Sequence, residues 1–361
     1  MDRRARGLAL ALAMLLAGPA MSMPPVALAT ELDEPPPYQT GHFELVDLPM
    51  ARLPWTRDLP PRLPALAPLD HHGIRVYRRE DGRLHYRPGA IAINGMKRID
   101  AYRDTGDRAQ LDQALMQARH LRRNRMVLHD AGWAPFWFDY PPEGLKAPWF
   151  NAMTQGLVLS FFVRLSRVTG DRVHLRAAEE VFESFRRLGP GEPDTQRSST
   201  RRPWVAYVDE RRYLWLEHYP TAHPDHVLNA HLHALIGLYE YWQHTRAAEA
   251  RRLLEGALTT MRDRAQQYRR KDRASVYGLR SRTNHVKYHQ VHIWQLRLLG
   301  RMTGDPFFSR LGDTLASDVA LRGDVPGRPA QSRMDTLLSP APRALQKAAY
   351  PPVMLALRRA G

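Results

Sequence analysis

From about residue 87 onward the chain is written in helical periods, and three near-identical breaks divide them. Tyr102-Arg-Asp-Thr-Gly-Asp107, Leu165-Ser-Arg-Val-Thr-Gly-Asp171 and Leu299-Gly-Arg-Met-Thr-Gly-Asp305 each close one helical pattern and open another. Gly106, Gly170 and Gly304 suit the left-handed residue that ends a helix. Asp107, Asp171 and Asp305 suit the N-cap of the next helix, and Pro306 its first residue. A fourth junction is expected at His244-Thr-Arg246, where the glycine is missing. The breaks fall 64 and then 134 residues apart, close to one and two units of a common period. Recurrent helical hairpins of that length stack into a curved or closed toroid.

The helices differ in how their apolar residues are placed. Trp149–Val168 and His226–His244 are apolar almost all round, as buried inner helices should be. Asp107–Arg122, Asp171–Leu188 and Ala247–Arg270 carry one apolar face and many charges, as outer helices should. The pattern therefore predicts an all-α fold, an α/α toroid of helical hairpins. One small N-terminal β-hairpin is expected over Ile74–Tyr86, around Asp81-Gly82. Domain limits follow: 74–322 for the toroid, a Pro-rich leader over 30–73 laid along it, and a Pro-rich C-terminal tail over 323–361.

The first 29 residues read as a secretory signal peptide. A basic stretch (Arg3, Arg4, Arg6) precedes an apolar run too short to span a bilayer, and Ala27-Leu-Ala29 offers a cleavage site. An exported protein, periplasmic or secreted and without stable membrane insertion, is expected. The chain has no cysteine, which excludes disulfides, thiol catalysis and a lipoprotein anchor. Net charge is +16; removing residues 1–29, with three arginines and one aspartate, leaves +14. Such a field favours acidic partners. Export points away from nucleic acid and toward an anionic polysaccharide, although the excess of arginine over lysine also reads as a plain compositional bias. A homodimer is compatible with the sequence.

Candidate chemistry centres on three tyrosines. Tyr219 precedes the apolar helix from His226, while Tyr277 and Tyr288 flank a short basic segment that holds Arg280. Tyrosine beside arginine and histidine, repeated at separated points, suggests proton transfer at an anionic centre. Trp149, Asn151 and Gln155, at the start of an inner helix, suit stacking and hydroxyl contacts to sugar as well as they suit helix packing. Glu217 and Asp225 offer a weak carboxylate pair of the glycosidase kind. Phosphate-loop, dinucleotide and nucleophile-elbow motifs are absent. The 16 histidines contain no His-Glu-x-x-His, so neither a metal nor another cofactor is expected.

Several of these segments resemble one family. Pro148-Trp149-x-x-Ala152-Met153-x-Gln155-Gly156, Trp215-Leu-Glu-His-Tyr219, Val227-Leu-Asn229, Leu235-Ile-Gly-Leu-Tyr239, Tyr277-x-Leu-Arg280 and Tyr288-His-x-x-His-Ile-x-Gln-Leu296 are similar to the C-terminal domain of D-glucuronyl C5-epimerase, over roughly residues 87–311. The resemblance implies the same toroid and a uronosyl C5-epimerase acting within a polymer. It implies Tyr219, Tyr277, Tyr288, Arg280 and His218 as catalytic residues. Trp149, Asn151, Gln155, Glu217, Asn229, His289 and His292 would be substrate contacts. His218 stands where the family usually has a glutamate, and the segment between Tyr277 and Tyr288 is several residues shorter than usual. The β-rich material that animal members carry ahead of the helices is replaced here by the leader. A polysaccharide lyase on the same toroid, beginning with the same proton abstraction, and a non-catalytic glycan-binding protein are the alternatives.

Overall fold

The Thr-Gly-Asp breaks are the turns of helical hairpins. In the computed structural model, which describes residues 35–53, 69–78, 82–189, 202–283 and 286–320, α1 (Pro88–Thr105) pairs with α2 (Arg108–Asn124) and α3 (Ala152–Thr169) with α4 (Arg172–Arg186). Then α5 (Leu228–Thr245) pairs with α6 (Ala248–Arg264), and α7 (Val286–Thr303) with α8 (Pro306–Ala320). Gly106, Gly170 and Gly304 take φ of 72°, 70° and 66°. Asp107, Asp171 and Asp305 accept the amides of Ala109, Val173 and Phe307. In each turn the threonine hydroxyl donates four residues back and accepts the aspartate amide.

The fourth turn follows the same plan with arginine in the glycine place. Thr245 donates to the Tyr241 carbonyl and accepts the amide of Ala247, and Arg246 adopts φ 57°. The left-handed conformation costs an L-residue about 1 kcal/mol. Here the Arg246 guanidinium is held by both carboxylate oxygens of Asp47 at 2.7 Å and lies over the Trp242 ring.

The odd-numbered helices α1, α3, α5 and α7 pack side by side in chain order as the inner layer, with the even-numbered helices outside. Every residue of α5 from Leu228 to Trp242 is buried, as is nearly all of α3 from Ala152 to Ser166. These two helices approach to backbone contact, where Gly156 and Gly237 face each other. Further along the same seam, Arg164 donates to both oxygens of Glu240 at 2.7 and 2.6 Å, with each side chain 1% exposed.

The expected N-terminal hairpin forms from β1 (Tyr77–Arg78) and β2 (Leu84–His85). Two more appear that the pattern did not predict. They are β3 (Met126–Leu128) with β4 (Ala131–Trp133), and β5 (Ala206–Val208) with β6 (Leu214–Leu216). Three-residue strands are too short to show a period of two. Likewise α6 stops at Arg264 rather than Arg270, because residues 265–268 tighten into a 3-10 turn.

The leader is more than a surface wrap. Tyr38, Phe43, Leu48 and Leu53 are buried in the main core. Tyr239 accepts the Leu48 amide at 3.0 Å and donates to the Val46 carbonyl, and Gln243 donates to Leu48 O at 2.6 Å. The strap thus crosses the C-terminal ends of the inner helices. A groove of about 570 Å³ beside it is lined by His42, Glu44, Arg262, Asp263 and Asp305. The hairpins and long connections lie at the opposite end, where the inner helices begin. The expected signal peptide and C-terminal tail lie outside the described residues. No described helix is long and apolar enough to cross a membrane.

Candidate active site

Three connections meet at the N-terminal ends of the inner helices. Residues 134–151 lead into α3, residues 217–227 into α5, and residues 269–283 lie ahead of α7. Backbone bonds tie them together. Ala152 N donates to Glu217 O at 2.8 Å, Leu228 N to Tyr277 O at 3.0 Å, and Leu279 N to Asp225 O at 2.8 Å. Gly278 is required by close approach, since a Cβ there would lie 2.0 Å from Asp225 Oδ2.

The tyrosines of these connections form one cluster with Phe136, Leu145, Trp149 and Val227. Tyr219 stacks on Tyr140 with ring centroids 5.6 Å apart and planes 9° apart. Tyr277 and Tyr288 lie 4.7 Å apart, centroid to centroid. The Tyr219 hydroxyl is hydrogen-bonded to both Tyr140 and Tyr277. So three separate connections and the first turn of α7 place four phenols together. Tyr140 was missed from the sequence because its segment, Phe136-Trp-Phe-Asp-Tyr140, reads as an aromatic loop with no motif.

The electrostatics of the cluster favour the neutral phenols: all three named tyrosines are shifted up. Burial raises Tyr219 most, with the neighbouring Tyr277 and the hydrogen bond to Tyr140 adding to it. Burial also raises Tyr277, and Tyr288 adds to that. Their shared hydrogen bond raises Tyr219 and lowers Tyr277, as for a donor and its acceptor. Burial and Tyr140 raise Tyr288, and Arg87 opposes them. Arg280 is instead half-exposed at the rim, 3.6 Å from Glu143. Arg87 and Glu143 carried no signal in the sequence, since each is a lone charge in a polar loop.

His218 lies beside Tyr219, ring centroids 4.3 Å apart. Burial lowers its imidazole to about 4, so the ring is neutral at neutral pH, and its buried Nδ1 has no partner. Glu217 points the other way. It is fully buried, with Oε1 2.5 Å from His226 Nδ1. Burial alone would lower the His226 imidazole, but Glu217 with Asp209 and Asp225 outweighs it and the net shift is upward. His226 sits at φ 52° and stacks on Trp215 at 4.0 Å.

The remaining expected contacts are buried and hydrogen-bonded or packed within the protein. Trp149 is buried, stacked on Phe136 at 4.2 Å, and donates to Phe138 O. Asn151 caps α3 through Thr154 N. Gln155 joins Ala134 N, Gly132 O and Ser184 Oγ. Asn229 is buried against Met153. His289 and His292, both fully buried, converge on Ser275 through their Nδ1 atoms. The helical periodicity of the sequence hid this burial, because polar residues on inner helices face neighbouring helices here. The glycosidase pair is likewise occupied: Glu217 faces His226, and Asp225 accepts from Ser281 N and Oγ at 2.6 and 2.8 Å. Among the described residues no three His, Asp or Glu side chains are grouped as metal ligands.

A family profile described as the D-glucuronyl C5-epimerase C-terminus matches residues 130–316, which hold all four tyrosines. The chain belongs to this family. It is 24% identical over 190 residues to a D-glucuronyl C5-epimerase of Caenorhabditis elegans, an alignment covering 47% of this chain and 28% of that protein. The chain therefore spans little more than a quarter of that relative. Among solved structures, the cellobiose 2-epimerase of Bacillus thermoamylovorans superposes with a TM-score of 0.50 at 14% identity, covering 73% of this chain and 70% of that one. This likeness bears on the fold, which is the α/α toroid. A sugar epimerase from a ruminal bacterium gives a TM-score of 0.48 at 15% identity, covering 71% and 66%.

Proposed function

We propose that this chain is a carbohydrate epimerase that inverts C5 of hexuronate residues within an anionic polysaccharide, D-glucuronate to L-iduronate or a related pair. The observation that carries the reading is the hydrogen-bonded set Tyr140–Tyr219–Tyr277, with Tyr288 beside it, inside the segment that defines the family.

The C5 hydrogen of a hexuronate is acidic because the adjoining carboxylate can take up the electron pair as an enediolate. A base removes that proton on one face, and an acid returns one to the other face. Phenols kept protonated by burial carry the proton that the return step needs. The abstraction step needs an acceptor. His218, neutral and with its ring beside Tyr219, is the candidate acceptor, although its burial makes it a weak one. The hydrogen bonds of Tyr219 to Tyr140 and Tyr277 then offer a path by which the phenol that lost its proton regains one from a neighbour. Arg280 and Arg87 are the rim cations available to the sugar carboxylate, and the N-terminal ends of α3, α5 and α7 add partial positive charge on the same side. The surplus of basic residues supports a polyanionic substrate. The basic-apolar N-terminal segment supports action outside the cytoplasm.

Heparosan incubated with the protein tests this reading. Iduronate in the product, with no unsaturated sugar ends absorbing in the ultraviolet, is the expected result. Unsaturated ends would make the chain a lyase, in which the electron pair expels the C4 substituent instead.

A further inference from the structure

The segment that feeds α3 also covers the tyrosines. Tyr219 and Tyr277 are 9% and 8% exposed, packed under Phe136, Leu145 and Trp149. A polymer can reach their hydroxyls only if part of this segment moves. Two antiparallel bridges mark where it can. Phe136 pairs with Trp149 at the base, and Tyr140 with Leu145 nearer the tip.

Beyond the base the tip is held to itself. Asp139 accepts from Lys146 Nζ at 2.8 Å and from Ala147 N at 3.0 Å. Tyr140 and Leu145 exchange both backbone bonds, and Gly144 N donates to Pro141 O. Residues 139–147 therefore move as a unit, with short links on either side. Buried Leu145, the Tyr140 ring on Tyr219 and Trp149, and Glu143 on Arg280 at 3.6 Å hold that unit over the site. The ion pair is the weakest of these. Its arginine is half-exposed, and such pairs contribute little because water screens them.

Glu143 thus places a carboxylate on the one rim arginine that the resemblance assigns to the reaction. We infer that Glu143 is an internal stand-in for the substrate carboxylate, holding Arg280 and the 139–147 tip over the tyrosines until a uronate displaces it. The inference rests on the proposed hexuronate substrate and adds how that substrate is selected. A sugar carboxylate competes for Arg280, releases Glu143 and frees the tip. A neutral sugar has nothing to exchange and leaves the cover closed. Glu143 is suited to release: burial raises its carboxyl and nearby Asp225 adds to that, while Arg280 opposes them, so the empty site does not hold it tightly. It acts through Arg280 and is a positioning residue.

A two-by-two set of proteins tests this: wild type, Glu143→Gln, Arg280→Met and the double variant. Binding of a heparosan oligosaccharide is followed by calorimetry, and C5 hydrogen exchange in D2O is followed separately by NMR. Glu143→Gln is expected to tighten binding by about 2- to 5-fold, the range of an exposed ion pair, and the gain is expected to vanish in the Arg280→Met background. A gain that persists without Arg280, or no gain at all, overturns the latch. If neither wild type nor Glu143→Gln binds the oligosaccharide, the latch is overturned as well. Absence of C5 exchange in wild type, with the 2- to 5-fold coupling present, would instead overturn the epimerase reading and leave the latch standing (about the same range).

Discussion

The contact of α3 with α5 sets the positions of two of the three connections that carry the site, and Gly237 tests it with a prediction of sign. Replacing a mid-helix glycine by alanine ordinarily stabilises a helix by about 1 kcal/mol, because it removes backbone freedom from the unfolded chain. At Gly237 the added Cβ would sit 2.4 Å from the carbonyl oxygen of Gly156, 2.7 Å from its Cα and 2.8 Å from its carbonyl carbon. Ordinary contact begins at 3.4 Å. All three neighbours are backbone atoms, so no rotamer change relieves them and the helices must part by about 1 Å, an overpacking that costs ~1–3 kcal/mol. Movement of α3 also strains the α3 start, where Ala152 N holds Glu217 O. Gly237→Ala is expected to lose about 1 kcal/mol net, or about 2–4 °C in Tm for a domain of this size. Urea titration with an unchanged slope is the assay. Gly106→Ala is the control, for it meets nothing within 4 Å and pays only for φ 72°, about 1 kcal/mol. If Gly237→Ala proves more stable than wild type, the backbone contact is wrong and so is the packing argument for the inner layer.

Two further predictions concern stability. Arg164→Met or Glu240→Leu alone should cost ~3–5 kcal/mol in the same titration by leaving a buried charge unpaired, whereas the double variant should be near neutral. Burial holds His231, His233 and His292 near 3, against about 6.5 when exposed. Between these values the unfolded chain binds the protons and the folded one does not, so stability falls as pH drops below about 6.5, each histidine contributing up to ~1.4 kcal/mol per pH unit. Urea midpoints measured from pH 7 to 5 check this, and a flat profile would contradict the neutral buried rings.

Much of the architecture was legible because helical hairpins are specified locally. Threonine, glycine and aspartate each have a physical task in the turn, so the turns showed in the sequence, even at Arg246 where the glycine is missing. The apolar character of α3 and α5 likewise announced their burial. What did not show was carried by long-range packing. The hairpins β3–β4 and β5–β6 are too short for a periodic signal, and the Pro-rich leader gave no sign that Tyr38, Phe43 and Leu53 would enter the core. At the site the tyrosines were found as residue types in familiar surroundings. Their partner Tyr140 was not, because its loop joins them only in three dimensions. Nor did the sequence show that Arg280 would lie half-exposed against Glu143, or that Gln155, His289 and His292 would be fully buried, because side-chain direction and depth are set by packing.

The central claim is that phenols of this cluster exchange the C5 proton of a hexuronate. The most direct measurement is NMR of heparosan incubated in D2O with wild-type protein and with Tyr219→Phe and Tyr277→Phe. Deuterium at C5 with wild type, slowed by about 100-fold or more in both variants while urea stability stays within ~1 kcal/mol, is the predicted result. Deuterium entering at the wild-type rate in both variants would contradict the account, because the proton would then move through groups other than these tyrosines.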